Sequence, residues 1–236
     1  MFIQKGQESS WKGQESVWSR TDASGHILSA TAYNLVIGAT LLWGFLANYL
    51  IVGAISPTTI LAFGIWPVII GYLVFAMAGT WLFNSSDNPA VSFLGYNLVV
   101  LPFGLILNIT INVAYAGPRF DGLVQEAIQT TGFVTLVMMI LGATFPRFFQ
   151  KISGALFGAL IAVLLVEVIG GLFFGWRHGA TDWIVAAIFC GYIGYDWGRA
   201  NAIPKTLDNA IDSAASLYID IIILFMRILR IMARRR

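Results

Sequence analysis

Four acidic residues lie within long apolar stretches of this sequence: Glu126, Glu167, Asp196 and Asp220. An ionised side chain inside a membrane costs about 2.5 kcal/mol or more, so each marks a candidate site. Asp196 and Asp220 come first. They stand 24 residues apart, with Pro204 between them. A hairpin turning at 204–211 leaves each carboxyl about eight residues from the turn, roughly 12 Å along its helix. The two then meet at similar depth on adjacent antiparallel helices. Two carboxyls at close range do not both ionise easily and titrate as a unit. Such a pair is a proton-sensitive latch, and once open it offers oxygen ligands to a hard cation such as calcium. The plainer alternative pairs Asp196 with Arg199, three residues on, and leaves Asp220 as a satisfied polar residue of a bundle. Asp208 and Asp212 read differently. They open the last helix, where acids complement its N-terminal dipole.

Composition says what must position these groups. The 236 residues are 58% hydrophobic and 11% charged, with a mean hydropathy of +0.77. An ordinary soluble domain carries about 25% charged residues. One core of this size cannot hide that much apolar surface. A soluble enzyme, a disordered chain and a nucleic-acid-binding domain are disfavoured, and the lipid bilayer is the expected partner. The net charge of +2 is too small to imply a polyanion. One cysteine, Cys190, excludes a disulfide framework, and two histidines, His26 and His178, leave little for zinc or haem. No cofactor is expected.

The expected fold is an all-α membrane protein with seven transmembrane helices. Residues 1–26 read as a hydrophilic tail containing a near-duplication, GQESSWKGQESVW. No apolar stretch near the start suggests a cleaved signal, so the first span is expected to be retained. Residues 23–86 carry no charge, enough for two spans of about 20 residues each. The spacing predicts helices over 32–55, 61–83, 91–116, 123–144, 152–174, 183–200 and 210–231. Residues 27–236 thus form one domain. Pro146, Arg147 and Lys151 are expected in a short basic loop, and 175–182 in a polar one. The seventh helix bears Asp212, Asp220, Arg227 and Arg230, so it cannot face lipid along its length. It is expected at the centre, surrounded by the other six.

Lys and Arg set the orientation. With the N-terminus cytoplasmic, inside segments hold Lys5, Lys12, Arg20, Arg147, Lys151, Arg199 and Lys205, and outside loops hold only Arg119 and Arg177. The arginine-rich C-terminus fits less simply. Gly154/Gly158, Gly171/Gly175 and Gly194/Gly198 are small-xxx-small pairs, expected to pack helices within the chain. In this orientation Glu126 and Glu167 fall in the outer parts of the fourth and fifth helices. They are expected at an acidic, cation-attracting mouth above the aspartate pair, though capping and interhelical bonding explain them too. Asn108 and Asn112 share one face of the third helix as i and i+4. They are candidate path amides, with interhelical hydrogen bonding the commoner use.

The stretch from Ile188 to Ile231 resembles the C-terminal signature of the transmembrane Bax-inhibitor-motif family. Tyr195-Asp196 matches its aromatic-aspartate pair. Ala214, Leu217, Tyr218, Asp220 and Phe225 match its last-helix pattern, and EAIQTTGFV from Glu126 to Val134 is similar to a further segment. The resemblance implies seven helices around a central seventh. It also implies a pH-sensitive calcium leak, with Asp196 and Asp220 as the di-acid sensor and the calcium path. The short chain leans towards the bacterial plasma membrane over endoplasmic reticulum or Golgi. One departure stands out. Some bacterial members have an arginine near the end of the second helix that latches the di-acid. Here that helix ends TWLFNSSDNPA, without Lys or Arg. Arg199, Lys205, Arg147 and Asn84 are the remaining latch donors.

Four rival readings exist. An intramembrane aspartyl protease would place Gly-x-Gly before its second aspartate, whereas Leu-Tyr-Ile precedes Asp220. A serine protease needs a basic partner for its nucleophile, and no histidine falls in a predicted span, so no enzyme is expected. A non-conducting membrane protein that modulates a protease or stress pathway, its partner unknown, and a proton-coupled cation carrier are the alternatives to a channel.

Overall fold

Proline, glycine and short polar side chains cut the apolar chain into helices. The computed structural model describes residues 27–174 and 179–236. The expected tail, and with it the duplicated segment, lies outside the described residues, as do Gly175 and Arg177. Helix α1 (Ala30–Ala54) begins where the Ser29 hydroxyl accepts the Ala32 N–H, and ends at the extended Ile55 ahead of Ser56-Pro57. A one-turn helix, α2 (Pro57–Leu61), follows. Gly64, with φ at +83°, redirects the chain into α3 (Ile65–Ser85). Asn88 caps α4 (Pro89–Ile109), which continues as a π-helical turn, Thr110–Ala114. A 3₁₀ turn (Pro118–Phe120) leads to α5 (Leu123–Thr144), then α6 (Pro146–Phe174), α7 (Gly179–Ala200) and α8 (Leu207–Arg235). The Thr206 hydroxyl caps α8 by accepting the Asn209 N–H.

Four boundaries differ from expectation. The polar loop expected at 175–182 gives way to α7 from Gly179. The break between the first two spans is longer, because Pro57 starts a separate turn and only glycine takes the φ of Gly64 without strain. The third span leaves the α-helix at Ile109. The basic loop at 146–151 is instead the start of α6. Proline suits the first helical position, where its missing N–H would have no partner.

Five of the long helices, α1, α3, α4 with its π turn, α5 and α6, are apolar and long enough to cross a membrane. The chain is thus an integral, multi-pass, all-helical membrane protein. The charged α7 and α8 are instead sequestered against neighbours. Of the 29 residues of α8, 18 are buried, against two of 21 in α3. Helix α8 packs on α1, α4, α5 and α7, while α3 leans chiefly on α4 and α6 on α7. Backbones touch where glycines meet. A Cβ on Gly142 of α5 would stand 2.2 Å from the Gly194 carbonyl of α7, and one on Gly198 would stand 2.8 Å from the Gly142 carbonyl. The Gly194/Gly198 pair therefore packs helices within the chain. Gly154 and Gly158 do not, since a Cβ on either meets nothing within 4 Å.

Candidate functional site

The α7–α8 hairpin sets the register of the site. The Asn209 amide donates to the Pro204 carbonyl at 2.8 Å, and the Leu28 N–H donates to the Lys205 carbonyl at 2.8 Å, tying the loop to the start of α1. From that fixed turn the helices run antiparallel, and Asp196 and Asp220 come level. Their carboxyls lie within hydrogen-bonding reach of each other. Both are buried, 8% and 6% exposed. Tyr192 stands near both carboxyls. The Arg199 guanidinium donates to the Tyr195 hydroxyl, lies over that ring, and is close enough to act on the charge of Asp196. Of the latch donors considered, Arg199 is thus beside the pair. Lys205 bonds the Asn201 carbonyl and stands over the Tyr33 ring, and Arg147 is exposed.

Two further aspartates belong to the same interior. Asp208 accepts from the Ser92 hydroxyl of α4 at 2.7 Å, and Asp212 is only 3% exposed, near Tyr33. Sequence reasoning assigned them to the N-terminal dipole of the last helix. Their spacing from each other and from Asp220 (i, i+4, i+12) puts all three on one side of α8, which was the available signal.

Beyond Asp220 the charge reverses. Asp182, in the first turn of α7, is fully buried among three arginines of α8. Its carboxylate meets Arg227 at 2.9 Å, Arg230 at 3.2 Å and Arg234 at 2.7 Å. Arg227 also forms a two-pronged pair with Glu167 of α6, at 2.6 and 3.0 Å. Planar guanidinium suits such bidentate contacts. Glu126 accepts from Arg236 at 2.7 Å. The two acids expected at an outer mouth are therefore each met by an arginine rather than left to attract cations. The sequence reading passed over Asp182 because it fell within the polar loop expected at 175–182, whereas it lies in the first turn of α7.

Asn108 is fully buried, and its amide donates to the carbonyls of Ile51 and Ile55 at 3.0 and 2.8 Å. Asn112 donates to the Val52 carbonyl at 3.0 Å. Both amides cap the open C-terminal end of α1, which is interhelical bonding. Among the described residues, no three or more His, Cys, Asp or Glu converge as a metal cluster. What the aspartate pair can do chemically is share a proton, or separate and present carboxylate oxygens.

The family described as "Inhibitor of apoptosis-promoting Bax1" matches residues 25–236. An "Uncharacterized membrane protein" of Vibrio cholerae is 28% identical over 79% of the chain and 84% of its own length. "Protein LIFEGUARD 4" of Arabidopsis thaliana is 30% identical over 74% of the chain and 69% of its own length. "Protein LIFEGUARD 3" of the same plant is 39% identical over a shorter stretch, 36% of the chain and 34% of its own length.

Proposed function

The chain belongs to the Bax inhibitor family, and from that premise we propose that it is a pH-sensitive calcium leak channel gated by the Asp196/Asp220 pair. The observation that carries this reading is the mutual approach of two buried carboxyls on α7 and α8. Two carboxyls bond each other only through a proton. With that proton in place the pair ties α7 to α8 and the path is closed. Loss of the proton leaves two like charges face to face, which repel. The helices then part at that level, and the freed oxygens take up calcium in transit, with water and backbone carbonyls completing its shell. Flux therefore rises with pH. Arg199 restrains the pair by drawing Asp196 towards the end of α7, in the place of an arginine on the second span.

The same reading makes all seven long helices cross the membrane, six of them around α8, with the N-terminus cytoplasmic. The burial of α8 supports the central position, and the Vibrio relative supports a bacterial plasma membrane. The test is calcium entry into dye-loaded proteoliposomes from pH 6 to 8, for wild type and for Asp196→Asn and Asp220→Asn. The proposal expects a flux that rises with pH in wild type and is flat or absent in both variants. Well-folded protein with no flux above empty liposomes at any pH would replace it with a non-conducting interaction protein. Flux that saturates and requires counter-transport would replace it with a carrier.

A further inference from the structure

Tyr218 stands two residues before Asp220 in the last-helix pattern, and the proton-sharing pair makes no use of it. Two residues turn a helix by about 200°. Asp220 meets α7, and Tyr218 therefore points the other way, towards α1 and α4. It is fully buried. Its hydroxyl accepts the Asn48 amide of α1, a residue only 4% exposed. The ring is boxed in by Phe45 of α1 at 5.7 Å and, edge-on, by Tyr96 of α4 at 5.6 Å. Tyr96 is held in turn, donating to the Thr40 carbonyl at 2.9 Å. Gly44 makes the box possible, since a Cβ there would collide with the Tyr96 hydroxyl and stand 3.2 Å from the Tyr218 ring. When α8 shifts or turns to part Asp220 from Asp196, Tyr218 moves with it and its hydroxyl leaves Asn48.

We propose that Asn48 and Tyr218 are positioning residues for the aspartate gate: their bond holds α8 at the rotation in which Asp220 meets Asp196, and so sets the pH of opening. This role rests on the channel reading of the pair. Its sign follows from linkage. The closed arrangement holds the shared proton and the Asn48–Tyr218 bond together. Removing the bond weakens that arrangement alone, so the proton leaves, and the path opens, at lower pH. A hydrogen bond of ordinary net strength moves a one-proton midpoint by about half to one pH unit. The ionisable groups facing the aspartates are Tyr192 and Arg199 of α7. Those facing Tyr218 are Tyr96 of α4 and Tyr72 of α3. Helix α5 carries none over 127–144, and α6 none over 152–166. On α1, Tyr49 faces outward, 75% exposed. Tyrosine and arginine ordinarily titrate well above neutrality, so the aspartates supply the response and the Asn48–Tyr218 bond its midpoint.

Tyr218→Phe keeps the ring and removes the hydroxyl, and Asn48→Leu keeps the volume and removes the amide. Trp43→Phe removes a different hydrogen bond between α1 and α4, to Asn97, and controls for general loosening. Wild type and variants of the full chain are reconstituted in liposomes and titrated from pH 5 to 9 about neutrality. Calcium entry and the infrared band of the protonated aspartates are both read. The expected result is a midpoint lowered by about half to one pH unit in Tyr218→Phe and in Asn48→Leu. The double variant should go no lower, because both changes break one bond, and Trp43→Phe should stay at the wild-type value. Unchanged band midpoints with a lowered melting temperature would make the bond packing alone and overturn the proposal. A raised midpoint, or an equal shift in Trp43→Phe, would overturn it too. Wild type without calcium entry, but with a band midpoint that falls in Tyr218→Phe, would overturn the channel reading and keep the positioning role. Calcium entry that rises with pH identically in wild type and variants would do the reverse. If Asn48→Leu does not fold, Tyr218→Phe decides, since it removes a single oxygen.

Discussion

The two halves of α8 treat buried charge in opposite ways. In the half next to the loop, Asp208, Asp212 and Asp220 face inward, and Asp220 meets another acid, Asp196. In the other half, Arg227, Arg230 and Arg234 face Asp182 and Glu167. Each of these carboxylates faces a guanidinium, a fixed cation that holds it by charge-assisted hydrogen bonds. Carboxyls facing each other depend on a proton that the solution supplies. One end of the helix is therefore a fixed clamp and the other, in the proposed function, a titratable contact. A helix anchored at one end and conditionally tied at the other can shift at the tied end without leaving the bundle.

The largest effect is expected at the clamp. Arg227→Ala leaves the 13%-exposed Glu167 without its two-pronged partner, at a cost of about 3–5 kcal/mol. Thermal unfolding in detergent would read this. Replacing both partners, Arg227→Met with Glu167→Met, should recover most of the loss, because a buried pair exchanged for apolar side chains is often neutral. A double variant as unstable as the single one would break the comparison. Smaller effects are expected at the aspartate pair. Asp220→Asn keeps a donor and an acceptor beside Asp196, so stability should move by less than about 1.5 kcal/mol while the pH dependence of calcium flux is lost. A large destabilisation with an unchanged pH profile would make this end a clamp too. The smallest belongs to Arg236→Gln. Its partner Glu126 is 53% exposed, and such pairs contribute less than about 1 kcal/mol.

Much of this was legible in the sequence. Uncharged runs and prolines located the long helices, because hydropathy and missing N–H groups act locally. The symmetric placement of Asp196 and Asp220 about Asp208, just after Pro204, put the pair at one level, because helix rise is constant. The partners of Glu126 and Glu167 were not legible. They are met by Arg236 and Arg227, more than 50 residues away in sequence, and only the tertiary crossing of α8 with α5 and α6 brings them together. The burial of Asp208 and Asp212 was missed for a different reason. The same positions at a helix start satisfy the dipole whether they face water or the core.

The central claim is that Asp196 and Asp220 hold a proton between them that leaves as pH rises. Infrared difference spectroscopy of the protein in lipid, titrated from pH 5 to 9 about neutrality and repeated in Asp196→Asn/Asp220→Asn, reads that proton directly. The account predicts a protonated-carboxyl band in wild type that fades with rising pH or added calcium, and that the double variant lacks. A band of equal size in both proteins, or none in wild type at any pH, would contradict it.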